Sequence, residues 1–194
     1  KMEILVRICY NVSTFMNEYW VSGGFLKKAC SFPKLRKERE KVELRTAVSP
    51  RDVKHYTTER LREEFLIQNL FVPGEIKLVY SHIDRIITGA AVPVSPITLT
   101  AGDELRAEYF CQRRELGVIN IGGAGMITVD GKVYKVGYKE AMYIGMGSRE
   151  IIFASEDEKQ PAKFYLNSAP AHKTYPTVLI KPEGTPEEGV VIVK

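Results

Sequence analysis

Two arginines and a glutamate, Arg113-Arg114-Glu115, feed directly into the apolar run Leu116-Gly117-Val118-Ile119-Asn120-Ile121 and a cluster of glycines at 122, 123 and 125. A guanidinium carries a planar fork of hydrogen-bond donors, so arginines at a strand entrance are candidates for a functional contact. The competing expectation is an ion-pair cluster that braces the strand or a subunit contact. Successive strand residues face opposite ways, so Arg114 would share a face with Gln112 and Arg113 with Glu115, and the three cannot all line one pocket. His82, Asp84 and Arg85 are a second candidate group: alternation along a strand end would let Asp84 orient and charge the His82 imidazole. A polar surface turn accounts for the same residues. His172 falls in a loop after the last long apolar run, where a substrate-facing or interface role competes with a plain loop histidine. Cys111 has no histidine near it in sequence and reads as a small buried apolar residue. Tyr134, Tyr138 and Tyr143 read as wall of the fold rather than a binding platform.

The elements that must carry these groups are mostly strands. From residue 66 onward, short apolar and β-branched runs alternate with Gly, Pro and Asp, at 76–81, 85–91, 97–99, 109–111, 117–121, 126–129, 132–136, 141–144, 150–154 and 163–168. That spacing predicts an antiparallel all-β sandwich or barrel. Asp130-Gly131 between two such runs is the strongest hairpin signal, because a type I′ turn needs two residues that tolerate positive φ. Ahead of the strands, Ser49-Pro50-Arg51-Asp52 offers a helix cap followed by proline, and Thr57 precedes the acidic start of a second helix. After Pro176 the chain reads as a linker or terminal arm, with a late apolar run at 190–193. The glycine cluster does not fit dinucleotide binding: G-x-G-x-x-G from Gly123 would need glycine where Thr128 stands, and strand rather than helix follows. These glycines instead let a tight turn pass close to neighbouring backbone.

At 194 residues and 44% hydrophobic content the chain can close one principal core. The formal charge of +4 is uneven, since residues 1–41 carry nine basic and four acidic groups against nineteen and twenty in the remainder. The body is close to neutral and lacks basic aromatic patches, so no nucleic-acid partner is expected. Three widely spaced cysteines, Cys9, Cys30 and Cys111, argue for a reducing compartment. No segment approaches the roughly 20 apolar residues of a membrane span, and the expected address is the cytoplasm.

Several segments resemble the 5-keto-4-deoxyuronate isomerase family of the cupin superfamily. They are Thr58-Glu59-Arg60-Leu61-Arg62-Glu63-Glu64-Phe65-Leu66, Tyr80-Ser81-His82-Ile83-Asp84-Arg85, the run 113–125, Phe153-Ala154-Ser155, Pro161-Ala162-Lys163-Phe164-Tyr165, and Ala169-Pro170-Ala171-His172-Lys173-Thr174-Tyr175-Pro176. The likeness covers about 45–177, and the run 113–125 is its most specific part. It implies an antiparallel cupin-like β-barrel (jelly roll) preceded by short helices. It also implies a ketol-isomerase of pectin and uronate breakdown, interconverting 5-keto-4-deoxyuronate and 3-deoxy-D-glycero-2,5-hexodiulosonate, and a homo-oligomer, a hexamer in the family. Such an isomerisation moves a carbonyl between neighbouring carbons through an enediol, which calls for a Lewis acid and a proton-shuttling base. With this resemblance the substrate-binding candidates are Arg113, Arg114, Glu115, His82, Asp84, Arg85 and His172, the two adjacent arginines because a guanidinium fork can hold the carboxylate of a uronate.

Family members are tandems of two cupin barrels, and the resemblance places zinc in the second, on a His-x-His, a glutamate and a later histidine. This chain has His55, His82 and His172 and no His-x-His. The chain is therefore expected to match the N-terminal half, with 42–176 as a cupin-like domain and 177–194 as a linker or arm toward a second domain holding the zinc. Residues 1–41 are expected to be a basic extension foreign to the native protein, because Val42 stands where an internal GTG start codon would be read as valine. The alternative expectation is a metal-free cupin module for sugar-acid binding or assembly, without turnover.

Overall fold

A computed structural model describes residues 42–181 of the chain, and the expectations for residues 1–41 and for 182–194 lie outside them. In chain order the strands are β1 (Glu43–Arg45), β2 (Ile76–Ser81), β3 (Ile87–Ala91), β4 (Ile97–Thr98), β5 (Arg114–Asn120), β6 (Gly125–Val129), β7 (Lys132–Val136), β8 (Ala141–Ile144), β9 (Ile151–Ser155), β10 (Phe164–Pro170) and β11 (Val178–Ile180). Two short helices, α1 (Pro50–Val53) and α2 (Thr58–Phe65), lie between β1 and β2. Both begin where their caps predict. The Ser49 hydroxyl accepts from the Arg51 N–H at 3.2 Å with Pro50 in the first turn, and the Thr57 hydroxyl accepts from the Arg60 N–H at 3.4 Å.

The strands form one sheet in the order β1-β2-β3-β10-β5-β8-β11 and another in the order β4-β9-β6-β7. The central β3-β10-β5-β8 and the facing β4-β9-β6-β7 are the two four-stranded sheets of a jelly roll. β1 and β2 extend one edge and β11 the other. Every pairing is antiparallel except that of β1 with β2. The expected antiparallel cupin-like architecture is thus present, as two sheets around a shared core. The β6–β7 hairpin turns as its sequence demands, with Asp130 at φ 48° and Gly131 at φ 84°.

Alternation along β5 sets the position of everything that follows. Arg114, Leu116, Val118 and Asn120 are buried, while Glu115, Gly117 and Ile119 point the other way. Leu116 and Val118 join Phe153, Phe164, Ile127, Met142 and Leu166 in a continuous apolar core, each such side chain contributing about 1.5–3 kcal/mol by leaving water. At the far end of β5, Asn120 ties down the glycine cluster. Its amide nitrogen donates to the Gly123 carbonyl at 2.8 Å and the Val136 carbonyl at 2.9 Å, and its oxygen accepts from the Gly122 N–H at 3.0 Å. A Cβ on Gly123 would fall on the Gln160 carbonyl oxygen, which bears out the close backbone approach expected of these glycines.

Three local expectations are corrected. Residues 109–111 are not a strand: Phe110–Gln112 is a 3-10 turn, closed by the Gln112 side chain accepting from the Glu108 N–H at 2.9 Å. A run buried on every side, as Phe110 and Cys111 are, shows no alternation that would separate strand from turn. The run at 85–91 starts as a strand only at Ile87, because Asp84 and Arg85 stand at φ 52° and 55° in the β2–β3 turn. The residues after Pro176 begin with a strand, β11, paired to β8 at Val178↔Tyr143. β1, three residues long, was equally unmarked in the sequence.

Candidate functional site

Arg114 is the first inward residue of β5 and only 7% exposed. Its position follows from the alternation of the strand, and its guanidinium is held on two elements. Nε donates to the Ser168 hydroxyl at 3.1 Å, and Nη2 donates to the Ser168 carbonyl at 3.0 Å and to the Arg85 carbonyl at 2.5 Å. Ser168 in turn donates its hydroxyl to the Glu115 carbonyl at 2.6 Å. The guanidinium carbon lies 5.7 Å from the centre of the Tyr80 ring. Burial pulls the arginine below its ordinary pKa, with the nearby Arg85 charge pulling the same way and Tyr80 opposing. The group still carries its charge, because arginine does not deprotonate in proteins. Its hydrogen-bond partners among the described residues are neutral oxygens, and no carboxylate among them is paired with it.

That charge borders a cleft of about 280 Å³ lined by Arg85, Arg113, Arg114, Tyr80, Glu104 and Pro170 among others. Arg113 reaches the same cleft because it precedes the strand. At φ −137° and ψ 18° it ends the 3-10 turn rather than continuing β5, so strict alternation with Arg114 does not apply to it. One of its nitrogens donates to the carbonyls of Leu105 at 3.1 Å and Arg106 at 3.0 Å, which fixes the side chain against the turn at residues 103–105. Gln112, expected on the Arg114 face, is turned back on Glu108 instead. Arg85, Arg113 and Arg114 therefore line one cleft, although alternation alone puts Arg113 and Arg114 on opposite faces.

The other candidates lie elsewhere. Glu115 points outward and accepts from the Tyr143 hydroxyl at 2.8 Å, and burial followed by this bond pushes the tyrosine up to about 12. His82 is exposed, with its ring edge-on to Tyr80 at 5.4 Å. Asp84 occupies the β2–β3 turn, so the two do not share a strand face and no hydrogen bond joins them, contrary to expectation. His172 is an exposed residue just past β10, next to Ala171, whose N–H donates to the Arg113 carbonyl at 3.1 Å. Cys111 is fully buried as expected, its thiol pushed up to about 12 by that burial. Tyr138 is 61% exposed rather than part of the wall. Sequence reasoning missed Tyr80, Glu104 and the buried Ser168. A polar residue in the inward phase of β10 is the signal that marks Ser168.

A second groove, of about 500 Å³, runs beside β2 and includes Glu43, Glu75 and Lys77. It is larger, but it holds none of the candidate residues and borders no buried charge. The described residues do not fit a zinc site. His55, His82 and His172 lie in three separate loops, and no three of His, Cys, Asp or Glu converge among the described residues. No helix among them is long and apolar enough to cross a membrane.

The chain has curated relatives that share one name. The 4-deoxy-L-threo-5-hexosulose-uronate ketol-isomerase of Lachnoclostridium phytofermentans is 73% identical over 143 residues, covering 73% of this chain and 52% of that protein. The protein of the same name from Lachnospira eligens is 60% identical over 143 residues, covering 73% of this chain and 51% of that protein. An RmlC-like cupin from Desulfovibrio desulfuricans, a solved structure, is 14% identical, with a TM-score of 0.36 over 50% of this chain and 81% of that one. The chain spans about half the length of the curated relatives it matches. The model of the KduI/IolB family matches residues 65–190, a span that contains the jelly roll and every residue named at the arginine cleft, and the chain belongs to that family.

Proposed function

We propose that the chain is the N-terminal cupin portion of a ketol-isomerase acting on 4-deoxy-L-threo-5-hexosulose-uronate, and that its arginine cleft takes the carboxylate of that sugar acid. The observation that carries this reading is the buried Arg114 charge, which has no carboxylate partner among the described residues and borders an open cleft shared with Arg85 and Arg113. Burying an unpaired charge is unfavourable by several kcal/mol, and an arriving carboxylate offsets part of that penalty. The names of the relatives supply the sugar acid. Zinc, implied by the resemblance, belongs in this reading to residues beyond the described ones, as does the proton-shuttling base. The described half contributes the scaffold, the carboxylate contacts and subunit contacts in a cytoplasmic homo-oligomer, a hexamer by resemblance.

The test is an isomerase assay on a protein of the relatives' full length that contains this segment. Replacing Arg85 and Arg113 together with alanine is expected to raise KM roughly tenfold or more, the loss of about one good charged hydrogen bond. An unchanged KM removes the cleft from substrate binding. The 194-residue chain is expected to be inactive with or without added Zn²⁺, and zinc-dependent turnover by it would overturn the division of labour.

A further inference from the structure

The two residues of the β2–β3 turn, Asp84 and Arg85, stand at φ 52° and 55°, a conformation that glycine and asparagine adopt readily and arginine does not. The hairpin is closed below them by the Ser81 N–H donating to the Ile86 carbonyl at 2.8 Å. An arginine in a left-handed turn asks for a reason that its backbone does not supply, and such outliers collect where a side chain is being aimed. Arg85 is exposed and lines the cleft. Its carbonyl, turned inward by the left-handed backbone, is gripped at 2.5 Å by Nη2 of Arg114. The same fork holds the Ser168 carbonyl and hydroxyl at 3.0 and 3.1 Å, and Ser168 belongs to β10, a strand paired on both sides. Arg114 is thus a strut between a fixed strand and the turn, with Nε and Nη2 both engaged in holding it.

We infer that Arg114 is a positioning residue rather than a ligand, and that Arg85 is the carboxylate ligand it positions, with Arg113 as the second contact. This deepens the proposed function and rests on its reading of the cleft as a carboxylate site. The fork geometry is what the role needs. Nη2 holds the carbonyls of both elements while Nε holds the Ser168 hydroxyl, and the ammonium of lysine, a single nitrogen about one bond shorter in reach, cannot hold all three although it keeps the charge. The long-range field at the cleft therefore survives Arg114→Lys, while the hold on the Arg85 carbonyl does not.

The 194-residue chain is titrated with D-galacturonate, a stable hexuronate, and with neutral D-galactose, following amide signals by NMR. Arg85→Gly, which keeps the turn's backbone preference and removes the side chain, is expected to weaken galacturonate binding roughly tenfold. Arg114→Lys is expected to weaken it comparably, and to shift the amide signals of Arg85 and Ile86 before any ligand is added. Because Arg114 acts through Arg85, the double variant is expected to bind no more weakly than Arg85→Gly alone. Additive losses, or Arg114→Lys binding like the parent chain, would overturn the inference while leaving the cleft a carboxylate site. A parent chain that binds neither sugar, or both equally, overturns the carboxylate reading itself. If Arg114→Lys does not fold, Arg85→Gly decides alone: undiminished affinity overturns the inference and a tenfold loss supports it.

Discussion

The Tyr143 hydroxyl on β8 donates to the Glu115 carboxylate on β5 at 2.8 Å, and the bond works against ionisation of the phenol. Burial first, and then the hydrogen bond and charge of Glu115, push the phenol from its ordinary 10 up to about 12. A group whose pKa is raised on folding stabilises the fold fully below its unfolded value, and that contribution is lost as pH rises through the folded one. The unfolded chain sheds the tyrosine proton near pH 10, while the folded chain holds it to about pH 12, so stability falls across that window. Cys111, raised from 9 to about 12 by burial, adds a decline of the same sign that begins lower. Tyr143→Phe removes only the tyrosine's share. Its melting temperature is expected to fall less steeply than the parent's between pH 10 and 12, since Cys111 is common to both. Parallel slopes in that range would show that the hydroxyl is not held as described. Glu115 is partner to a neighbouring strand, and Arg114 beside it faces the opposite way.

At the scale of elements, β5 is a spacer with a polar residue at each inward end. Arg114 at one end meets Ser168, while Asn120 at the other fixes the glycine turn through both sides of its amide. Asn120→Ala leaves buried N–H and carbonyl groups without partners, at about 1–3 kcal/mol for each that water cannot reach. Urea unfolding of this variant is expected to show at least ~2 kcal/mol lost, and a loss within error of zero would mean the glycine turn holds itself. The features legible in the sequence were those set by residues within a few positions of each other: the Asp130-Gly131 turn, the caps at Ser49 and Thr57, and the tight passage at Gly122 and Gly123. β1 and β11 were not legible, because three-residue strands have no period and their partners lie far along the chain. The convergence of Arg113 with Arg114 was hidden for a different reason. Alternation holds only inside a strand, and the strand begins one residue later than the charges do. The role of Ser168 emerges only from the β5–β10 register, which sets it opposite Leu116, two residues inward of the Pro170↔Arg114 pair.

Over the molecule as a whole, the β1 edge carries exposed apolar side chains among the described residues. Leu44, Phe65, Leu66 and Ile83 are 53%, 56%, 46% and 57% exposed. They are tied into one region through Arg45, whose guanidinium donates to the Leu66 carbonyl at 3.0 Å and whose carbonyl accepts from the His82 N–H at 2.9 Å. Clustered exposed apolar side chains mark association surfaces more often than isolated ones do. The residues beyond the first 41 are nearly balanced in charge, with nineteen basic and twenty acidic groups, so little like-charge repulsion opposes the approach of a second copy. The helix α2, which carries Phe65, buries none of its residues, so a charge placed there leaves the core intact. In sedimentation velocity the parent chain is therefore expected to run heavier than its 21.9 kDa monomer. Leu44→Asp combined with Phe65→Asp is expected to run as the monomer with an unchanged circular dichroism spectrum, because both substitutions load charge onto the same surface. A parent chain that sediments as a monomer at every concentration tried would remove this edge from the assembly. A heavier species that persists in the double variant would move the contact to another face, such as the β11 edge.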